Sequence, residues 1–470
     1  MISGLECSEV LYSYIRKQND IFRLDSFYYS KEFLKEEQII NDLACNVLGS
    51  LENTSILSFG AYSLNNQVEY LDEGVPFVRC VDMKNGTIDT TGLIHISSNA
   101  HRLLYKSEIF PETVLVSMSG SIGNVALSLP DWEYPINSNQ DIAKIKLNGD
   151  MNAYYVYSFF MSKYGQNFMR REARGSVQQH VFLSQIEQVK IPIFSEQFYI
   201  LIEKIVKDGL KCDEIANKKY KDTEAFLLQS LNLDKDYDRV LNYSVRSFSN
   251  INIINRLDSE YYQLKYDCIY NDIIKLPHIT AYSVLSKNNK TFIPLDKEKY
   301  LYIELADIDN YGGIYDTCDI ANGKELPSRA RRKVSSGDII VSSIEGSLSS
   351  CAVISDEYNN AVCSTGFYIM NSDDINSETL LLLFKSYPIQ MLMKRGCSGT
   401  ILTAISKDEL KNVPIPIPSP EVQKHISMEM KNTFDLRKRS KHLILSAAKA
   451  IEIAIEQNEK EAVSFLESIN

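Results

Sequence analysis

One heptapeptide occurs twice in this chain, and that constrains its fold more than any other feature. Arg23-Leu24-Asp25-Ser26-Phe27-Tyr28-Tyr29 returns as Arg256-Leu257-Asp258-Ser259-Glu260-Tyr261-Tyr262, alike at six of seven positions across a shift of 233 residues. Further echoes follow in the same order. Val114 to Ile122 parallels Ile340 to Leu348 at a shift of 226, and Gly175-Ser176 parallels Gly399-Thr400 at 224. Ile186 to Ile193 parallels Leu410 to Ile417, also at 224. Collinear echoes in a 470-residue chain mean two homologous halves. The period far exceeds the roughly 20–50 residues of a solenoid unit, so each copy can bury a core of its own.

Within each copy, short β-branched runs end in turn residues, as in Val75 to Val81 before Lys84-Asn85-Gly86 and Thr113 to Ser117 before a Gly-Ser turn. Helical spacing over about Met151–Met169 puts Tyr155, Phe159, Phe160 and Phe168 on one broad face, read here as core. Each copy is followed by a long amphipathic stretch. In the first, Leu201, Ile205, Cys212, Ile215 and Phe226 recur at helical intervals; in the second, Val422 to Ala454 does the same on a helix running towards residue 468. Each apolar stripe needs a partner, and packing the two helices against each other supplies it. Lys219 and Asp222 interrupt one seam register.

The expected fold is therefore α+β: two homologous mixed α/β domains joined by two long helices packed as an antiparallel coiled coil, with pseudo-two-fold symmetry. The expected boundaries are an N-terminal segment 1–20, domains 21–195 and 237–418, and helical regions 196–236 and 419–470.

No apolar run approaches the ~20 residues of a membrane-spanning helix, and no secretory signal is visible. Nine cysteines and six histidines are dispersed without ligand spacing. The expectation is no structural metal, no disulfides and a reducing cytoplasm. A net charge of −11 argues against indiscriminate nucleic-acid binding. Basic stretches at Lys163–Lys190, Lys324–Lys333 and Lys385–Gly399 nevertheless concentrate positive charge on particular surfaces.

No phosphate loop, dinucleotide turn, zinc-protease pair, nucleophile elbow or Pro-Pro pair of an amino-methyltransferase motif occurs. Asp338 with Glu345 suggests paired carboxylates, but the first copy aligns Glu112 and Ser119 with them. Two kinds of loop remain. Ser119-Gly120-Ser121 and the counterpart around Ser347 offer small residues whose backbone N–H groups can approach a phosphate. The other loop runs from Arg170-Arg171 through Arg174, Ser176, Gln178, Gln179 and His180, with a second-copy partner in Lys394-Arg395, Ser398 and Thr400. Arginine grips guanine edges bidentately and glutamine reads adenine. Arg329, Arg331, Arg332 and Lys333 add a basic strand to the second copy.

Taken twice, the R-L-D-S-x-Y-Y opening, the Gly-turn strand, the Gly-hydroxyl loop and the closing Val189-Lys190-Ile191-Pro192-Ile193 or Pro414-Ile415-Pro416-Ile417-Pro418 before Gln197 or Gln423 resemble the specificity subunits of type I restriction-modification systems. The first copy departs in having Phe194 where the second proline of the ending stands.

The resemblance implies two target-recognition domains, each reading half of an asymmetric bipartite site on double-stranded DNA, with the helices as a ruler for the gap. It implies two modification subunits that bind S-adenosylmethionine and methylate adenine, and restriction subunits that translocate and cut. This chain itself would bind no cofactor and catalyse nothing, in the cytoplasm of a bacterium or archaeon. Two rival readings stand beside it: a duplicated protein-binding adaptor, and the recognition part of a fused nuclease or methyltransferase.

Overall fold

The computed structural model describes residues 8–18, 23–58, 68–88, 92–149, 151–175, 179–239, 244–247, 256–314, 320–399 and 403–469. The chain divides into two compact units, Met1–Glu214 with Arg437–Asn470, and Ile215–Leu436. Both long helices cross that division, so each unit takes part of both.

In the first unit, Thr113–Ser117 is central to an antiparallel sheet ordered Val125–Leu127, Thr113–Ser117, Ile142–Lys146, Ser55–Leu57. Its β-branched run is buried throughout because both faces are covered. Val114 and Val116 face the helical core, whereas Leu115 points into a second cluster with Val78, Ile109 and Ile136 of the neighbouring sheet. That sheet is mixed, with Ile136–Ser138 parallel to Val75–Val78 and antiparallel to Glu108–Ile109.

The second unit repeats the plan. Ile339–Ser342 lies between Cys351–Val353 and Phe367–Met370. Val362–Ser364 runs parallel to Lys299–Ile303 and antiparallel to Ala330–Lys333. Ile339 and Val341 face one core, and Ile340 faces the other.

The helical stretch over Met151–Met169 is two helices, Ala153–Met161 and Lys163–Glu172, where the sequence suggested one. Ser162 leaves helical backbone between them, and its hydroxyl donates to the Phe159 carbonyl at 2.6 Å. Gly165 lets the second helix fold tightly back, since a Cβ there would lie 2.4 Å from the Phe159 oxygen. Ser386 repeats the break between Ser377–Lys385 and Tyr387–Arg395, donating to Leu383 at 2.6 Å. The aromatic face is core: Tyr155, Phe159 and Phe160 are buried, with Phe168 packed against them.

The first long helix is Glu196–Ser230. The second, Pro420–Glu456, stops short of the expected residue 468 because Asn458 caps a separate helix, Glu459–Glu467. Within the first unit the two run antiparallel: Asp213 pairs with Arg437 at 3.3 Å, and Gly209 faces Ser440, Leu443 and Ile444. A Cβ at Gly209 would meet all three within 3.3 Å, so glycine permits this close approach. Within the second unit, Lys219, the charge that broke the seam pattern, reaches Glu429 at 2.5 Å, and Phe226 stacks edge-on with His425.

Candidate nucleic-acid interface

The duplicated heptapeptide has a structural task. Arg23 pairs with Asp25, Asp25 caps the Tyr28 N–H at 3.0 Å, and the Tyr29 hydroxyl donates to the Arg23 carbonyl at 3.0 Å. Arg256, Asp258, Tyr261 and Tyr262 repeat every one of these bonds. In each copy this knot clamps the end of the helix that leads into the glycine-hydroxyl loop: Arg23 donates to the Ala173 carbonyl and Arg256 to that of Arg395.

Beyond the clamp the chain forms a hairpin in both copies. Arg174 and His180 exchange both backbone hydrogen bonds, at 2.9 and 2.7 Å, and Gly175 takes a φ of 120° at the turn. Cys397–Ser398 pairs with Ala404–Ile405 in the same way, with Gly399 at a φ of 136°. Each hairpin is sewn to the glycine turn beside it. Val181 donates to the Met118 carbonyl and Ile405 to that of Ser343, both at 2.9 Å. Ser119 bridges His180, and Ile344 bridges Ala404. Thus both loop signals of each copy converge on one edge of its unit.

These bonds correct the sequence alignment of the glycine turns. Met118 matches Ser343, a shift of 225 rather than 226, and the left-handed residues before the strands, Glu112 and Gly337, keep the same spacing. Gly120 therefore stands at the position of Glu345, and Thr113 at that of Asp338, in place of the Ser119 and Glu112 pairing. Asp338 is buried and accepts from Ser335 and Asn371, a turn-holding role.

The sequence-selected residues fall into three groups. Exposed at the edge are Gly120, Ser121, Arg170, Gln179 and Ser398. Arg170 donates to Asn167 one turn back, at 3.2 Å. His180 is half-buried under the exposed ring of Phe182, 4.8 Å away, an aromatic that the sequence reading passed over. Arg331 and Lys333 are also half-buried, with Lys333 5.8 Å from the Phe292 ring.

A second group is engaged internally. Arg171 is buried, donating to Glu37 at 2.9 Å and the Tyr28 carbonyl at 3.0 Å. Arg395 pairs with Asp267 at 3.1 Å, and Lys394 lies 3.5 Å from Glu260. Arg174 lies 3.9 Å from Glu172, and exposed Arg329 pairs with Glu304 at 2.7 Å. Ser119 is buried, and the Ser347 hydroxyl meets that of Ser342 at 3.0 Å. Carboxylates on preceding helices, Glu37 and Asp267, pair with Arg171 and Arg395, which the sequence reading had facing DNA, and a single sequence gives no sign of such distant partners.

Arg332 makes up the third group, half-buried against Tyr368 with no carboxylate partner among the described residues. Ser176, Gln178 and Thr400 lie outside the described residues.

Comparison with known proteins places this geometry. A family model described as the type I restriction modification DNA specificity domain matches residues 56–222 and again 271–445, well over half of the chain. The chain belongs to this family.

One match falls in each of the two repeated copies, beginning after the duplicated heptapeptide in both, so each copy carries one specificity domain. The specificity subunit of the type I restriction enzyme HindI from Haemophilus influenzae is 28% identical over 131 residues, 27% of this chain and 28% of that subunit's length. Among solved structures, a type I restriction-modification S subunit from M. genitalium is 14% identical, with 91% of this chain and 96% of that one covered at a TM-score of 0.34. An HsdS subunit from Thermoanaerobacter tengcongensis is 15% identical, with 91% and 95% covered at a TM-score of 0.26.

Among the described residues of this specificity-domain pair, no helix is long and apolar enough to cross a membrane. No group of three or more His, Cys, Asp or Glu among them could hold a metal. The described cysteines are free thiols.

Proposed function

We propose that this chain is the non-catalytic DNA-recognition subunit of a type I restriction-modification complex. Each domain reads one half of an asymmetric bipartite site, and the paired helices set the unread spacer. The observation that carries this reading is the repeated edge. The same hairpin and the same glycine turn, locked by the same backbone bonds, carry Gln179 and His180 in one copy and Ser398 in the other. Equal frames with unequal side chains suit two different half-sites, because backbone contacts set position and side chains carry sequence information.

Two methyltransferase subunits, carrying S-adenosylmethionine, and restriction subunits complete the complex in this reading. The acidic total of the chain fits partners that share the phosphate contacts. The test is adenine methylation mapped across the host genome with and without the gene. Loss of methylation at one bipartite motif supports the reading, and an unchanged methylome rejects it. Exchanging residues 397–405 for 174–180 should alter one half of the motif and leave the other.

A further inference from the structure

Five described arginines, Arg23, Arg171, Arg174, Arg332 and Arg395, carry a buried guanidinium nitrogen without a hydrogen-bond partner among the described residues. Four of them have a carboxylate nearby: Asp25, Glu37, Glu172 and Asp267 respectively. Arg332 has none among the described residues. Burial pushes its pKa down, opposed by Cys363 and Tyr368, both ordinarily neutral. An arginine cannot shed its proton to escape that cost. A desolvated charge without a counter-charge is a liability to the free chain unless a ligand supplies the missing acceptor.

The surroundings say which ligand fits. Arg332 lies in the Ala330–Lys333 strand, where the pairing with Val362–Ser364 slips by one residue between Ala330 and Arg332. The guanidinium lies 5.1 Å from the centre of the Tyr368 ring. The Tyr368 hydroxyl in turn donates to the Ile405 carbonyl at 3.0 Å, and Ile405 belongs to the recognition hairpin. Arg332 is thus placed near the root of that hairpin, over the face of an aromatic ring that favours its charge. At the 225-residue shift the first copy has Ser107 and Ala143 in these places, both small and buried, so the arrangement belongs to the second domain alone.

We propose that Arg332, oriented by Tyr368, reads the O6/N7 edge of a guanine in the half-site bound by the second domain. This rests on the DNA-recognition reading above and assigns one position within it. A planar donor fork matches that paired acceptor edge, and a recessed, stacked arginine is suited to a base edge more than to a phosphate, which exposed side chains such as Lys333 can reach. Among the described residues no carboxylate pairs with Arg332, so none loses a partner when its charge is removed.

The test uses the full chain with its methyltransferase partners, on duplexes carrying the methylated motif with each guanine replaced in turn by 7-deazaguanine. The wild-type complex should lose roughly 5- to 100-fold in affinity at one guanine. Arg332→Ala and Arg332→Gln should bind the unmodified duplex weakly by the same factor and become indifferent to the replacement at that position. The salt dependence should be unaltered and the melting temperature unchanged or higher.

A uniform loss with a flatter salt slope would make Arg332 a phosphate contact and overturn the proposal. So would a marked fall in melting temperature, which would make it a structural residue. If the wild-type complex shows no sequence preference at all, the underlying DNA reading fails, and this assignment with it.

Discussion

The Arg171 guanidinium lies 4.2 Å from the centre of the Tyr28 ring, and Arg395 lies 4.6 Å from that of Tyr261 at the matching place in the second copy. Each arginine thereby ties the helix before the hairpin to the duplicated heptapeptide. Arg171→Ala should therefore act on stability. Removing it leaves Glu37 partly buried and without this partner, at a cost on the order of 2 kcal/mol. Thermal denaturation should show a lowered transition, with DNA affinity falling only as the folded fraction falls.

Arg170 is adjacent in sequence and opposite in consequence. Its side chain is exposed and, among the described residues, it has no carboxylate partner, only the helical bond to the Asn167 amide. Arg170→Ala should leave the melting temperature within about a degree. It should weaken binding to all sequences and reduce the slope of log affinity against log salt by about one. An unaltered slope would remove Arg170 from the phosphate contacts.

Lys144 is buried between the sheets of the first unit, where its amine donates to the Ser138 hydroxyl and the Ile142 carbonyl, both at 3.1 Å. Burial pushes its pKa from 10.5 down to about 7. Between about pH 7 and 10.5 the unfolded chain holds a proton that the folded chain has released, so this residue makes stability rise with pH across that window. The relief is lost as pH falls across that window and is gone below about 7. The second copy has Ile369 in the equivalent strand position, inside an apolar cluster. Lys144→Ile should raise stability at pH 7 by on the order of 1–4 kcal/mol, with the gain shrinking towards pH 10. Parallel melts of the two proteins at pH 7 and 9.5 would reveal it, and a gain independent of pH would contradict it.

Thr223 is buried on the first long helix, within the second unit, with its hydroxyl bonded back to the Lys219 carbonyl at 2.6 Å. Inserting one helical turn beside it should change the spacer length tolerated in the recognised motif while leaving both half-sites intact, as read from genome-wide methylation. An unchanged spacer would remove the ruler role of the helices.

Much of this architecture is legible without coordinates because it is written twice. Collinear repetition reveals the two domains, and the 3.6-residue stripe from Leu201 to Phe226 reveals the long helix. The site was only half legible. The two glycine-containing loops follow from loop chemistry, but their hairpin pairing does not, and Arg171 and Arg395 read as surface cations until Glu37 and Asp267 are placed beside them, pairings that are tertiary. Tyr368, Phe182 and Lys144 carry no local signal: each sits in an ordinary strand or turn pattern, and only its surroundings give it significance. The one-residue error in aligning Gly120 with Gly346 has a similar origin, because matching glycines by identity ignores the hydrogen bonds that define equivalence.

The two hairpins are fastened to their glycine turns through main-chain atoms, Val181 to Met118 and Ile405 to Ser343. A fastening of that kind is indifferent to which side chains it carries. Substitutions at the tips can therefore accumulate without disturbing the fold, and a new target sequence can be acquired while the old framework stays in place.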